Sequence, residues 1–480
     1  MSTGQKFSID RRTMLKTAGG VALGLASVGA AAAPGRRRYL IVGVGSRSRM
    51  YLTAVTKTFR ERSELVGLCD TNPGRLALAG KLANEAGATP LLRLAADFDQ
   101  LLAEAKPDAV IVTTPDATHD EYIVRALDAG CDAITEKPLT TTPEKAQRIL
   151  DATKRSGKHV RVLFNYRYSP PRTQVKELLM QGVIGDVLSV DFHWLLNTVH
   201  GTDYFRRWHS QKKMSGGLMV HKATHHFDLV NWWLGTEPEV VMASGKREYY
   251  TPAMAQRMGL SRHHERCRTC PEKKACTFYI DIAADPAFKA LYLDNEQHDG
   301  YFRDRCVFRP DIDIEDTMNV IVRYKTGTTL SYSLNAFNAW EGYQIAFNGT
   351  KGRLEHEIVE QAFSAGATLP PGAERDAVRT RVIPLRGKPE ELQPWTGTGG
   401  HGGGDEVMLS EVFGVAEPDK YKRAADERSG LYSILVGAAA NRCFETGQSV
   451  KIGELVSGLT PPSVAPMPDH KLKLPMPMKV

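Results

Sequence analysis

The stretch RYLIVGVGSRSRMYLTAVTKTF, residues 38–59, decides the fold. It opens as a short apolar strand, passes through Gly43 and Gly45, and continues as a helical pattern. The next apolar run, ELVGLCD, ends in Asp70, 25 residues beyond Gly45. A dinucleotide-binding unit asks for this arrangement. Glycines let the backbone approach a pyrophosphate where a helix begins, and an acid closing the second strand accepts hydrogen bonds from ribose hydroxyls. Ser48 stands where a third glycine of G-x-G-x-x-G would be. The surrounding text restores the signal: the strand AVIVTTP (109–115), the helical DEYIVRALDAG, the strand DAITEKP and a helix over Pro143–Ser156 continue the alternation that builds a parallel sheet.

The expectation is therefore an α/β chain with an N-terminal, doubly wound Rossmann domain over residues 36–160 that binds NAD. Asp70 selects NAD over NADP because a carboxylate repels a 2′-phosphate. Bound NADP would need Arg47, Arg49 or Arg75 as phosphate partners.

The ends and the composition bound the rest. Before this domain, Arg11-Arg12 precedes a Gly/Ala-rich apolar run and the small residues Ala31, Ala32 and Ala33, which reads as a twin-arginine signal peptide over 1–33. The run is too short for the roughly 20 residues a spanning helix needs, so no membrane span is expected in the mature chain. The precursor would engage the twin-arginine export machinery and reach the periplasm or the exterior already folded, carrying a tightly held cofactor. Removing this segment lowers the formal charge from +7 to about +4, with no basic stripe, which argues against nucleic acid as a partner. The remaining residues suffice for two or three domains. The Pro-rich end, 456–480, reads as an extended tail.

A second stretch carries candidate chemistry. GGLMVHKATHHFDLVNWWLG (216–235) packs three histidines, a lysine and an aspartate into eight positions. On one helix, His221, His225 and Asp228 share a face while Phe227, Val230 and Leu234 pack inward.

TEKPLTTT with Glu136-Lys137-Pro138, TTPDATH ending in His119, and the glycine pair followed by the spaced His/Asp/Trp block together resemble the Gfo/Idh/MocA family of glucose–fructose oxidoreductases and inositol dehydrogenases. The resemblance implies a C-terminal α/β substrate domain over 161–455 with a large, open, mostly antiparallel sheet that often carries the oligomer contact. It also implies a homo-oligomer acting on a small carbohydrate, with hydride moving between NAD(P) and a sugar or polyol hydroxyl. Lys137 matches the lysine that touches nicotinamide and substrate, and His225 the histidine proposed as acid or base. His221 stands where the family commonly has an aspartate, four residues before His225. On this resemblance the cofactor side comprises Gly43, Gly45, Ser46, Arg47, Asp70, Thr114, Pro115, His119, Glu136 and Lys137, and the substrate side Tyr166, Asp228, Trp340 and His401. The glycine-rich GTGGHGGGDEVM (397–408), with His401 and Asp405, resembles the glycoside hydrolase family 109 branch, which keeps fold and NAD but cleaves glycosidic bonds.

The chemistry fits these residue types. Hydride abstraction from a carbinol needs a base for the hydroxyl proton, a cation for the developing alkoxide and a nicotinamide held against the carbon. His225 and His221 suit the first task and Lys137 the second. Three functions follow: an NAD-dependent carbohydrate oxidoreductase, a glycosidase working by transient ring oxidation, or a noncatalytic sugar-binding protein.

Four of the seven cysteines, Cys267, Cys270, Cys276 and Cys306, cluster in an insertion spanning about 245–315. The spacing C-x2-C-x5-C, with the fourth 30 residues on, suits structural zinc or an iron–sulfur cluster, while an exported protein also admits two disulfides or free thiols.

Overall fold

The computed structural model describes residues 35–361, 377–415, 417–468, 473, 474 and 476. The signal segment and part of the Pro-rich tail lie outside the described residues.

Six parallel strands form the first sheet: β1 (Arg37–Val42), β2 (Ser63–Asp70), β3 (Leu91–Leu94), β4 (Ala109–Val112), β5 (Asp132–Thr135) and β6 (Val160–Val162), in the order β3-β2-β1-β4-β5-β6. This is the doubly wound order, with its switch point between β1 and β4. The register aligns Val42 with Cys69 on one side and with Val112 on the other, and Val112 with Thr135. The chain therefore leaves β1, β2, β4 and β5 at one edge, which collects Gly43, Asp70, the Thr113–Asp116 turn and Glu136-Lys137. Local sequence sets the connecting helices: Asn72 caps Pro73–Glu85 by accepting from Arg75 N, Thr142 caps Pro143–Ser156, and Gly157 ends the latter in left-handed conformation.

The second sheet has nine strands: β7 (Val187–Asn197), β8 (Pro238–Lys246), β9 (Thr317–Tyr324), β10 (Thr329–Asn338), β11 (Glu341–Gly349), β12 (Gly352–Gln361), β13 (Val378–Pro384), β14 (Glu390–Leu392) and β15 (Val450–Lys451). Their order is β14-β13-β12-β11-β7-β10-β9-β8-β15, antiparallel except where β7 meets β10. In β9, Met318, Val320, Val322 and Tyr324 are buried while Asn319, Ile321 and Arg323 point outward, the period-two pattern of a sheet covered on one face. The helix Glu427–Thr446, capped by Asp426 and closed by Gly447, covers the inner face together with Thr224–Leu234.

The 216–235 stretch is not one helix. Gly217–His221 ends at Lys222 and a new helix runs from Thr224 to Leu234, so the expected common face of His221, His225 and Asp228 does not form. The break turns His221 toward the nucleotide-binding half, while Asp228 points into the core.

The insertion between β8 and β9 carries the four clustered cysteines. All seven cysteines are free thiols, and among the described residues no group of three or more His, Cys, Asp or Glu side chains is arranged to hold a metal ion. The zinc and iron–sulfur expectations find no support among the described residues, and no disulfide pairs the four clustered cysteines. Cys267 Sγ accepts a hydrogen bond from Arg206 Nη1 at 3.2 Å, and burial pushes the Cys306 thiol up to about 11. Among the described residues no helix is long and apolar enough to cross a membrane.

Candidate active site

A cavity of about 500 Å³ runs from the Gly43 loop to the His221–His225 segment. The ten residues expected on the cofactor side all border it, as do His221, His225, Tyr166 and His401. Trp340, in the β10–β11 turn, and Asp228 do not.

The nucleotide end suits a dinucleotide. Gly43 has φ +85°, and a Cβ there would sit 2.6 Å from Thr114 N, so only glycine allows β1 and β4 to part this closely. A Cβ on Gly45 would meet nothing within 4 Å, which leaves the loop backbone open toward the cavity. Asp70 is buried; Oδ2 accepts from Val44 N at 2.7 Å and Oδ1 from Asn72 N at 2.8 Å. The same carboxylate that would meet ribose hydroxyls thus also shapes the glycine loop. The residues fit a nicotinamide dinucleotide: the Gly43–Gly45 backbone would hold its pyrophosphate and Asp70 its adenosine ribose.

At the other end the side chains form a chain of hydrogen bonds across the two halves. Lys137 Nζ lies 3.4 Å from His221 Nε2 and 3.2 Å from its carbonyl oxygen, and His221 Nδ1 lies 2.5 Å from Asp116 Oδ2. A lysine ammonium can only donate, so His221 Nε2 accepts and Nδ1 carries the proton toward Asp116. Burial draws the Lys137 amine down to about 8, against the opposing pull of Asp116 and Glu136. Burial and the Lys137 charge hold His221 and His225 well below the usual histidine range, so both rings are neutral. His225 stacks on Tyr166 with ring centroids 4.3 Å apart, and among the described residues its buried Nδ1 has no hydrogen-bond partner.

Glu136 and His119 are struts. The Glu136 carboxylate takes hydrogen bonds from Arg47 Nε, Tyr51 Oη and Lys137 N, which fixes the backbone that presents Lys137. The His119 ring sits between Pro138 O at 2.7 Å and Thr114 O at 3.0 Å, tying the β4 and β5 turns together. His401 Nδ1 meets Asp405 Oδ2 at 2.8 Å, and Asp405 Oδ1 accepts from Asn165 Nδ2 at 2.7 Å.

Asp228 has a different task from the substrate contact expected of it. Arg167 Nε and Nη2 grip its two oxygens at 2.7 and 2.6 Å in a buried, bidentate ion pair. The structure also brings in residues that sequence reasoning passed over: Asp116, His209, His200, Tyr204 and Lys222 border the cavity. His209 meets the His221 ring at 4.2 Å, and Tyr204 Oη lies 2.9 Å from His200 Nε2. Asp116 had a signal, an acid in the turn after a strand at the switch point; His209, in RRWHSQ, had none.

With this geometry in hand, similarity places the chain. Residues 37–164 match the oxidoreductase family's NAD-binding Rossmann fold, and residues 176–452 its C-terminal alpha/beta domain. The chain is 37% identical to YteT of Bacillus subtilis over 428 residues, covering 87% of this chain and 98% of that protein. It is 25% identical over 415 residues to inositol 2-dehydrogenase 2 of Saccharopolyspora erythraea, covering 83% and 94%. Its fold resembles the aldose-aldose oxidoreductase of Caulobacter crescentus with a TM-score of 0.57 at 18% identity, covering 87% of this chain and 99% of that one. The chain belongs to the Gfo/Idh/MocA oxidoreductase family.

Proposed function

We propose that this protein is an NAD-dependent oxidoreductase that moves hydride between its nicotinamide and a hydroxyl-bearing carbon of a sugar or polyol. One observation carries the reading: the Lys137–His221–Asp116 chain and the Gly43–Asp70 nucleotide end border a single cavity. NAD, when bound, accepts or returns the hydride. The residues handle the proton. A Lys137 amine of pKa about 8 is part neutral near physiological pH, takes the carbinol proton and is then the cation beside the remaining oxygen. His221, backed by Asp116, accepts a hydrogen bond from that ammonium and orients it. Among the described residues the buried His225 Nδ1 has no hydrogen-bond partner, so the ring serves as a substrate hydrogen-bonding group, a change of rank from the sequence expectation. The inositol dehydrogenase relative supports the polyol class, and Asp70 supports NAD over NADP.

A specific observation favours glycoside cleavage as a second reading. His401 is held at φ 53°, a conformation uncommon outside glycine, with its ring 5.7 Å from Tyr166 and Asp405 behind it. This builds a second acid–base pair at the cavity mouth, suited to protonating a leaving group after ring oxidation.

The Arg11-Arg12 segment supports export by the twin-arginine route to the periplasm. Met242 and Ile321, opposite one another in the β8–β9 register and more than half exposed, support a homo-oligomer formed through the outer sheet face. Denaturing the purified mature protein and assaying the supernatant for nicotinamide dinucleotide tests the cofactor reading. Following nicotinamide reduction across a sugar and polyol panel tests the reaction, and release of aglycone with no net NADH separates the second reading from the first.

A further inference from the structure

The insertion between β8 and β9 reaches back to the nucleotide-binding half. Asn295 O accepts from Asn72 Nδ2 at 2.9 Å, and Tyr292 Oη lies 3.4 Å from Ser46 N of the glycine loop. Leu78, on the helix after β2, packs against a small core of Ile282, Leu291 and Tyr292. Through this docking the insertion sets one charge at the adenosine end of the cavity. Arg75 Nη2 lies 3.2 Å from Asp70 Oδ1 and 2.5 Å from Asp299 Oδ2, with the arginine side chain only 11% exposed.

We infer that Asp299, supplied by the insertion, is a specificity-determining residue that closes this site to NADP by occupying Arg75. Arg75 lies five residues beyond the acid that ends β2, in the corner where an arginine accommodates a 2′-phosphate. A free guanidinium there would be a ready phosphate partner. Here it is bracketed by two carboxylates, so the corner carries a net charge of about −1, and a phosphate of about −2 meets repulsion with no released donor. The ribose hydroxyls of NAD need only acceptors, and Asp70 keeps that role. Specificity in this chain therefore rests on two acids from separate parts of the sequence, and removing the second alone should weaken it.

The inference rests on the reading that NAD binds at the Gly43 loop, and the test separates the two. The mature protein is incubated with equal NAD and NADP, freed of unbound nucleotide by gel filtration, and its retained dinucleotides are quantified, for wild type, Asp299→Asn, Asp299→Ala and Asp299→Asn/Arg75→Gln. Wild type should retain mainly NAD. Both single variants should raise the retained NADP:NAD ratio about tenfold, a factor worth about 1.4 kcal/mol, and the double variant should return it toward wild type. A ratio unmoved in both single variants, or a rise that survives Arg75→Gln, overturns the role of Asp299 while leaving NAD binding intact. A wild type that retains neither dinucleotide, or mainly NADP, overturns the cofactor reading itself.

Discussion

Asp116, in the turn after β4, and His221, at the break in the 216–235 segment, are joined by a hydrogen bond of 2.5 Å between Oδ2 and Nδ1. The family resemblance implies an acid at position 221; histidine stands there, and an acid, Asp116, reaches it from the nucleotide-binding half. Both halves thereby contribute to the Lys137–His221–Asp116 chain that borders the cavity.

His221→Ala should lower kcat by about two orders of magnitude while leaving bound cofactor in place, because the Gly43 loop and Asp70 are untouched. Asp116→Asn should have a smaller effect, about tenfold, since an amide oxygen still accepts from Nδ1 but carries no charge. Steady-state kinetics alongside dinucleotide content checks both; equal wild-type kcat in both variants would remove the chain from the reaction.

The pH dependence carries a sign. Oxidation of the alcohol needs neutral Lys137, so its rate should rise with pH through about 8. Burial pushes the Asp116 carboxyl well above the usual carboxylate range, and in its ionised form it raises the Lys137 pKa, so Asp116→Asn should move that limb to lower pH. A pH–rate series on the two proteins reads the shift; a limb displaced upward would contradict the arrangement.

The nucleotide-binding half was legible in the sequence because its signals are local: Gly43, Gly45 and Asp70 sit at fixed distances on strands of strict alternation. The Asp116–His221 bond was not, because its partners are 105 residues apart and no spacing rule joins a strand-end turn to a helix end in another sheet's layer. The single-helix reading of 216–235 failed at Lys222-Ala223, where tertiary contacts outweigh the helical period. The Asp228–Arg167 pair was not legible because Arg167 lies in a different segment, 61 residues away. Cysteine spacing marked the insertion but left its chemistry open, and nothing in it pointed to Asp299.

Asp228→Asn tests the structural role of that pair. With Asp228 and Arg167 side chains 1% and 4% exposed, breaking the pair strands a buried guanidinium and should cost about 3 kcal/mol. Chemical denaturation should show this loss with KM unchanged. A raised KM at unchanged stability would return Asp228 to the substrate.

Elemental analysis should find no stoichiometric zinc, and a chelator should leave the melting temperature unchanged, because the cysteine region is held by hydrogen bonds and ion pairs such as Arg266 with Asp304 at 2.7 Å. One zinc per chain that stabilises the fold would restore the metal expectation.

The most direct test of the central claim is the near-ultraviolet absorbance of reduced nicotinamide, followed in NAD-loaded wild type and Lys137→Ala as a panel of sugars and polyols is added. At least one polyol should reduce the bound cofactor in wild type, and should do so slower by about two orders of magnitude or more in Lys137→Ala at equal cofactor content. Reduction at the same rate in both proteins would contradict the claim, and so would a cofactor that no polyol reduces.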